Sequence, residues 1–245
     1  MSKPPPNPVV TVILAKDEEM SISEAVSGAR QHCAKVVVMD GHSSDLTVEK
    51  AKAAGAEVHP DPGRGKGAAI RASLSLVEEP VVVFMDADGS HDPADIPRLA
   101  APIESGEVDL CVGSRFTGGS EELSITVGQL IRTIGNISMN IAINKRWRVE
   151  LTDTLNGFRA IRRVAALEVD LQEDIHTIEQ EMVMKMLRAG YTVMNIPTHE
   201  YSREHGESHI KIWRQWPRFV WCVVRHVAAF NRPSSDPPRT SKDSS

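Results

Sequence analysis

The sequence predicts an α/β protein in which a mostly parallel sheet is flanked by helices. Short apolar runs rich in Val and Ile alternate with longer stretches of helical pattern and recur at intervals of about 25 residues, as in strand–helix–strand units. Runs this apolar fit strands that are buried on both faces. With 245 residues, 41% of them hydrophobic, the chain can bury a sizeable core without disulfides.

The first half of the chain carries the clearest elements. Its β-branched runs are VVTVILA (9–15), KVVVMD (35–40) and PVVVFMDAD (80–88), and shorter strands are predicted at 56–59 and 108–116. Helices are predicted in the intervals, at 21–33, 46–54, 68–76 and 93–103. In the less regular second half, we predict helices at 123–143 and 177–189 and strands at 157–161 and 191–196.

The two ends of the chain depart from this pattern. Residues 1–8 are Pro-rich and are interpreted as a flexible leader. Residues 232–245 contain Pro, Ser and charged residues with almost no hydrophobic ones, which predicts a disordered tail. One domain is therefore expected over 9–211, followed by an amphipathic helix over 212–231.

Composition excludes several classes of protein. The chain has 28 Lys and Arg against 33 Asp and Glu, and a net charge of −5 does not suit a generally basic nucleic-acid binder. Three cysteines without a CxxC pair argue against a disulfide scaffold or a Cys-rich zinc site and fit a cytoplasmic location. No window approaches about 18 uninterrupted apolar residues, so no membrane-spanning helix is predicted.

The sharpest chemical signal lies where the strand 80–88 ends. Asp86 and Asp88 are separated by one residue, and alternate side chains of a strand point to the same side. Two carboxylates this close repel each other unless a cation lies between them. Oxygen ligands suit Mg²⁺ or Mn²⁺, which also bind phosphate oxygens. The alternative is a solvated turn in which an Asp caps the next helix.

Two further segments have the chemistry to bind a nucleotide. Asp40 ends the strand 35–40, where its carboxylate could accept hydrogen bonds from a ribose or a base. The segment PGRGKG (62–67) lacks the spacing of a P-loop, but Arg64, Lys66 and its backbone amides could approach a phosphate at a helix start. Taken alone, this segment reads equally well as a flexible basic turn.

These motifs occur in the order DEE, MDGHSSD, GRGKG, DADGSHDP and GSRF, which resembles the nucleotide-sugar glycosyltransferases of the Rossmann-like GT-A fold. The resemblance is greatest to the dolichyl-phosphate mannosyltransferase and polyprenyl-phosphate glycosyltransferase group, and it covers about residues 9–211. Later segments extend it: TDTLNGFRAIRR (152–163), IEQEMVMKMLRAGYTVMNIP (178–197) and SREHGESHIK (202–211).

The resemblance implies two sets of residues for the donor. The base and ribose would be held by Asp17, Glu19 and Asp40. A Mg²⁺ or Mn²⁺ ion on the donor diphosphate would be held by Asp86 and Asp88, with Ser90 at the position of a third ligand. Lys66 belongs to the same donor region.

A third set would serve the acceptor. The resemblance implies that Arg115 and Arg132 receive an acceptor phosphate, with Asn136 and Asn140 on the same helix face. Arg203 and Lys211 would close over the phosphates from a loop. A phosphate is already ionised at pH 7, so it needs arginines to position it rather than a strong base. A hydroxyl acceptor would instead need a base such as Asp153 or Asp174, and the sequence offers both.

The sequence differs from the family pattern at two positions. His209 stands where the family usually has Lys, which predicts weaker or pH-dependent phosphate binding in that loop. Lys16 replaces a residue expected near the base, so the identity of the nucleotide stays open.

The predicted C-terminal helix combines Trp213, Trp216 and Trp221 with three arginines. Tryptophan and arginine on an amphipathic helix are typical of a segment that lies in a membrane interface. The alternative is a helix that packs on the catalytic domain or on a second subunit of a homodimer. The first reading would make this cytoplasmic protein peripheral to a membrane.

Together these observations predict a metal-dependent, inverting hexosyltransferase. It would move a mannose- or glucose-type sugar from a GDP- or UDP-sugar to a polyprenyl (dolichyl-type) phosphate. One alternative keeps the fold and transfers the sugar to a small soluble hydroxyl or amine compound. Another is a binding module that only senses nucleotide sugars.

Overall fold

The computed structural model describes residues 8–121, 127–202 and 212–228. Its strands are β1 (Val9–Ala15), β2 (Lys35–Asp40), β3 (Glu57–Pro60), β4 (Val81–Asp86), β5 (Leu110–Ser114), β6 (Arg159–Arg162) and β7 (Val193–Pro197). Its helices are α1 (Ile22–Ala29), α2 (Thr47–Ala53), α3 (Lys66–Leu76), α4 (Ile96–Glu104), α5 (Arg115–Gly118), α6 (Val127–Trp147), α7 (Arg163–Glu168), α8 (Ile178–Arg188) and α9 (Ile212–Ala228). Residues 1–7 of the predicted leader (1–8) and the predicted tail over 232–245 lie outside the described ranges.

The strands form one mixed, mostly parallel sheet, as the sequence predicts. Their order is β3-β2-β1-β4-β6-β5-β7, and among the described strands β6 alone runs antiparallel to its neighbours. β1 lies between β2 and β4, so that Val12 pairs with Val37 on one side and Phe84 on the other. This arrangement confirms the predicted α/β class.

The sheet is covered on both faces, which explains its apolar runs. Val10 and Val12 of β1 point to the face covered by α3, α6, α8 and α9, whereas Val9 and Ile13 point to the face covered by α1 and α4. Each fully buried side chain of this size contributes about 1.5–3 kcal/mol relative to an exposed one. A charged residue inside these strands would therefore be costly, and the charged residues of β2 and β4 come at the strand ends.

The strand directions bring the candidate site together. Because β1, β2 and β4 are parallel, their carboxyl ends lie side by side, with Ala15 paired to Asp40 and Leu14 paired to Asp86. The antiparallel β6 starts at this same edge, since Arg159 pairs with Phe84 near the end of β4. The loop before β6 therefore meets the ends of the parallel strands.

The C-terminal helix α9 packs on the domain with one side only. Cys222 and Val223 are buried in the core beside Met139 and Ile143 of α6, while Trp221 and Val224 are exposed. None of the helices in the described ranges is long and apolar enough to span a bilayer.

Candidate active site

A cleft of about 610 Å³ opens at the carboxyl edge of the sheet. Its floor is formed by the ends of β1 and β4, and its walls by the starts of α3 and α8 and by residues of α6 and α9. In open α/β sheets, ligands bind at this edge. The cleft is therefore the candidate active site.

Three charged side chains meet at the centre of the cleft. The Nζ atom of Lys66 lies 2.7 Å from Oδ1 and 3.0 Å from Oδ2 of Asp86, and 2.8 Å from Oε1 of Glu179. Burial by itself would raise the pKa of Asp86, but the charges of Lys66 and His91 outweigh it and lower the pKa to about 2. Asp86 is therefore ionised at neutral pH.

Gly157 makes this cluster geometrically possible. A Cβ atom at this position would lie 2.8 Å from Oδ2 of Asp86 and 2.8 Å from Nζ of Lys66. Any other residue would push the two charged groups apart. The loop before β6 thus approaches the end of β4 closely because it carries a glycine.

Two glycines also fix where Lys66 begins its helix. Gly65 precedes α3 with a φ of 114°, a backbone conformation that glycine tolerates best. Gly67 lies against the loop before α8, where an added Cβ would be 2.2 Å from the carbonyl oxygen of Glu173. The segment PGRGKG is thus a helix start that places Lys66 in the cleft.

The three predicted metal ligands all line the cleft. Asp88 and Ser90 are buried, and the Ser90 hydroxyl donates to Oδ1 of Asp88 at 2.6 Å. Over the described part of the chain, no group of three or more His, Cys, Asp or Glu side chains is arranged to hold a metal. Mg²⁺ typically binds through one or two carboxylates and completes its shell with water and substrate phosphates. Asp86 and Asp88 fit that pattern.

His91 is a buried cleft residue to which sequence reasoning gave no role. Its ring packs edge-on against Phe158 at 4.9 Å between centroids, and in the described structure neither ring nitrogen has a hydrogen-bond partner. Burial lowers the pKa of His91, although Asp86 and Asp88 act in the opposite direction. Its place three residues after Asp88 was the signal available in the sequence.

The predicted base and ribose ligands make contacts within and between the segments after β1 and β2. Asp17 accepts from the backbone N–H of Ser44 at 2.7 Å, and Asp40 accepts from that of Ser43. Glu19 lies 3.5 Å from Lys50. Other residues of these loops line the cleft: Lys16 and Glu18 after β1, and Gly41 and His42 after β2. Asp61, in the segment after β3, lines it as well.

Arg115, at the start of α5, is another cation that lines the cleft. Its guanidinium forms a fork with Asp153, through Nε at 2.7 Å and Nη2 at 3.2 Å, and Nη1 lies 3.3 Å from Glu200. Asp153 is fully buried, and its Oδ1 also accepts from the N–H of Leu155. Asp153 therefore positions Arg115 and is not placed to act as a base on an acceptor. The other candidate base, Asp174, pairs with Arg71.

The two asparagines of α6 predicted to serve the acceptor differ in their contacts. Asn136 lines the cleft, and its buried Oδ1 has no hydrogen-bond partner in the described structure. Asn140 donates to the carbonyl of Thr152 at 2.7 Å and accepts from the Thr154 hydroxyl at 2.7 Å, so it ties α6 to the loop before β6.

The remaining predicted phosphate ligands are not placed by the structure. Arg132 lies in α6, but its side chain is outside the described part, and Arg203, His209 and Lys211 fall in the range 203–211, also outside it. Sequence reasoning also missed two acidic cleft residues, Glu179 and Glu200. Glu179 is the second residue of the segment IEQEM of the resemblance, which was the only signal available for it.

The chain is also similar to known proteins. Residues 11–170 match the family described as "Glycosyl transferase family 2". Glycosyltransferase AglJ of Haloferax volcanii is 31% identical over 207 residues, which cover 83% of this chain and 66% of that protein. The chain thus spans slightly less than two thirds of that relative. The undecaprenyl-phosphate mannosyltransferase of Micrococcus luteus is 29% identical over 215 residues, 82% of this chain and 86% of that protein.

The fold is also found among solved structures. Glucosyl-3-phosphoglycerate synthase of Mycobacterium tuberculosis, in complex with Mn²⁺, uridine diphosphate and phosphoglyceric acid, superposes with a TM-score of 0.72 over 92% of this chain and 80% of that one. At 19% identity this likeness shows a common GT-A-like fold. Because the family match covers well over half of its residues, the chain belongs to glycosyl transferase family 2.

Proposed function

We propose that this glycosyltransferase moves a hexose from a GDP- or UDP-sugar to a polyprenyl phosphate, with inversion, at an anionic membrane surface. The name of the Micrococcus luteus relative supports a lipid-phosphate acceptor. The cleft contains the carboxylates Asp86 and Asp88, at and after the end of β4, and a cation, Arg115, after the end of β5. That polarity suits a donor diphosphate with a metal on one side and an acceptor phosphate on the other.

The donor side supplies charge where the leaving group develops it. Asp86 and Asp88, with the hydroxyl of Ser90, would hold Mg²⁺ or Mn²⁺. When bound, this ion neutralises the charge that builds on the departing diphosphate. Lys66, at the start of α3, adds a second cation within reach of the same phosphates.

The acceptor side positions an anion without a base. Arg115 is held in place by the buried Asp153 and by Glu200, so the guanidinium N–H groups that these carboxylates leave over can bind a phosphate with little loss of side-chain freedom. Asn136 presents an amide from the neighbouring wall. An acceptor phosphate held there would attack the anomeric carbon from the face opposite the leaving group, which inverts the configuration.

The main structural support for a lipid acceptor is the outer surface of α6 and α9, two helices that pack side by side. Ile134, Ile137 and Ile141 of α6 are exposed, as are Trp221 and Val224 of α9. The inner faces of the same helices line the cleft with Asn136, Met139 and Phe219. An apolar surface of this kind marks an interaction site, and here it adjoins the cleft.

Charge favours an anionic membrane as the partner of this surface. Each of the two helices contains three Lys or Arg residues and neither contains Asp or Glu, in a chain of net charge −5. Arg218 and Arg225 of α9 are exposed beside the apolar residues. Each basic residue near an anionic bilayer contributes about 1 kcal/mol of attraction.

The acceptor is tested by transfer assays with GDP-mannose and UDP-glucose as donors. Polyprenyl phosphate in vesicles, a short water-soluble prenyl phosphate and an unphosphorylated polyprenol serve as acceptors. We expect product with both phosphates, the vesicle-bound one being preferred, and an inverted anomeric configuration by NMR. Product with the polyprenol or with a soluble hydroxyl compound, and none with the phosphates, would contradict the proposal and support the soluble acceptor.

The membrane surface is tested by vesicle flotation. We expect binding to vesicles that contain phosphatidylglycerol, weakened by salt, and little binding to phosphatidylcholine alone. Replacing Trp221 and Val224 together by Ser removes about 1.5–3 kcal/mol per inserted side chain and lowers binding at least tenfold. Val164→Ser is the matched control, because Val164 is 55% exposed on α7. Equal loss in both variants, or no binding by the wild type, would contradict the assignment.

A further inference from the structure

Lys66 and a divalent cation require the same carboxylate. Both oxygens of Asp86 lie within 3.0 Å of the Lys66 ammonium. Charge-assisted contacts of this length are the strong kind of hydrogen bond. A cation that binds Asp86 must therefore displace the ammonium or share the carboxylate with it, and two positive charges at one carboxylate repel each other.

Glu179 offers the ammonium another partner. It is 5% exposed and lies 2.8 Å from Nζ of Lys66. The Cα of Lys66 is fixed by the helix start, where the N–H of Gly67 donates to the carbonyl of Asp174 at 2.9 Å. Its four-carbon side chain nevertheless has rotatable bonds. The ammonium can thus turn from Asp86 toward Glu179 without any movement of the backbone.

We propose that Lys66 competes with the divalent cation for Asp86, and that Glu179 retains the ammonium when the cation binds, within reach of the donor diphosphate. The inference rests on the proposed donor and metal site. It makes metal and nucleotide binding cooperative, because the diphosphate gives the displaced ammonium an additional anionic partner. Lys66 and Glu179 are then positioning residues that couple the two ligands.

The test measures Mn²⁺ affinity, by the EPR signal of free Mn²⁺, with and without UDP or GDP. In the wild type we expect weak Mn²⁺ binding that nucleotide strengthens by about five- to a hundredfold. In Lys66→Met, Mn²⁺ alone should bind roughly five- to tenfold more tightly, and the gain from nucleotide should shrink. Lys35→Met is the matched control, because Lys35 also pairs with a carboxylate, Glu57, but at the opposite end of the sheet.

A second variant separates competition from general damage. Glu179→Gln removes one of the two carboxylates that the ammonium contacts in the described structure and leaves it with Asp86, so Mn²⁺ alone should bind more weakly than to the wild type. In the double variant with Lys66→Met, the effect of Glu179→Gln should disappear, whereas simple attraction between Glu179 and Mn²⁺ would persist. Damage to the site would instead weaken Mn²⁺ binding in every variant.

Each outcome decides between the two proposals. Unchanged or weaker Mn²⁺ binding by a folded Lys66→Met protein that still binds nucleotide with Mn²⁺ would overturn the inference and leave the proposed function standing. A wild type that binds no Mn²⁺ even with nucleotide would overturn the proposed donor site itself. If Lys66→Met does not fold, the wild type decides, since equal Mn²⁺ affinity with and without nucleotide would also overturn the inference.

Discussion

At the residue scale, the site is built from charges whose partners hold them in place. Arg115 reaches the cleft because the fully buried Asp153 holds two of its nitrogens. Burial by itself would raise the pKa of Asp153, but Arg115 lowers it below its ordinary value. The carboxylate is therefore charged at neutral pH, and its main role is to fix the direction of the arginine.

Asp153→Asn tests this role through stability and its pH dependence. Breaking a buried ion pair leaves an uncompensated charge, so we expect a loss of about 3–5 kcal/mol at pH 7. Because the folded pKa of Asp153 lies below its ordinary value of 3.8, the contribution is complete above that value and is lost as pH falls through the folded pKa. Urea unfolding at pH 7 and below pH 4 checks this. The difference in unfolding free energy between the wild type and Asp153→Asn should be smaller at the lower pH.

If the difference in unfolding free energy between the wild type and Asp153→Asn stayed the same across this pH range, the role given to Asp153 would be wrong. The exposed pair of Lys35 and Glu57 gives the control, since Glu57→Gln removes a surface ion pair and should cost about 1 kcal/mol or less.

At the scale of elements, one buried arginine connects the loop before β6 to α8. Arg159 is fully buried and donates to the carbonyls of Asn156, through Nε at 3.0 Å, and of Glu179 at 2.7 Å. The loop carries Gly157 and the helix carries Glu179, so both walls around Lys66 depend on this side chain. Burial lowers the pKa of Arg159, with the surrounding carboxylates acting in the opposite direction.

Arg159→Lys should loosen both elements at once. Lysine keeps the charge but loses the planar fork, which leaves buried carbonyls without donors at about 1–3 kcal/mol each. We expect a lower unfolding midpoint in urea and weaker binding of nucleotide with Mn²⁺. Arg162→Lys is the control, because Arg162 lies on the same strand but its side chain is 46% exposed. If Arg159→Lys and Arg162→Lys lost similar amounts of stability and nucleotide binding, the hydrogen bonds of Arg159 to the loop before β6 and to α8 would have no special role.

The sequence predicts the parallel part of the fold and the carboxylates at its edge well. Runs such as VVTVILA and PVVVFMDAD can be recognised as buried strands, because burial on both faces requires continuous apolar residues. The polar residues that end these runs are visible for the same reason. Asp86, Asp88 and Ser90 accordingly all line the cleft.

The rest of the site depends on pairings between distant residues, which local patterns do not encode. The antiparallel insertion of β6 between β4 and β5 places Gly157 beside Asp86, although 71 positions separate them in the chain. Glu179 looks like an ordinary first-turn acid of a helix until the fold brings it to Lys66. Asn140 shares a helix face with Asn136, yet the loop before β6 takes up its amide.

At the scale of the whole molecule, the same two helices, α6 and α9, line the cleft and carry the exposed apolar surface. The two helices present polar and aromatic residues to the cleft on one side and isoleucine, valine and tryptophan to the surroundings on the other. On the proposed function, a lipid acceptor would enter with its phosphate toward Arg115 while its chain remains in the bilayer. Transfer would then require both surfaces, whereas donor binding would require the cleft alone.

The central claim is that Asp86 and Asp88 bind a divalent cation together with the donor diphosphate. The most direct test is thermal unfolding with UDP or GDP, with and without Mn²⁺, in the wild type, in Asp88→Asn and in the remote control Asp170→Asn. At a hundred times its dissociation constant, a ligand stabilises the folded state by about 2.7 kcal/mol, which is roughly 5–10 °C for a chain of this size. We predict that shift for one nucleotide in the presence of Mn²⁺, its loss in Asp88→Asn and its retention in Asp170→Asn. The same shift in the presence of a chelator, or an undiminished shift in Asp88→Asn, would contradict the account.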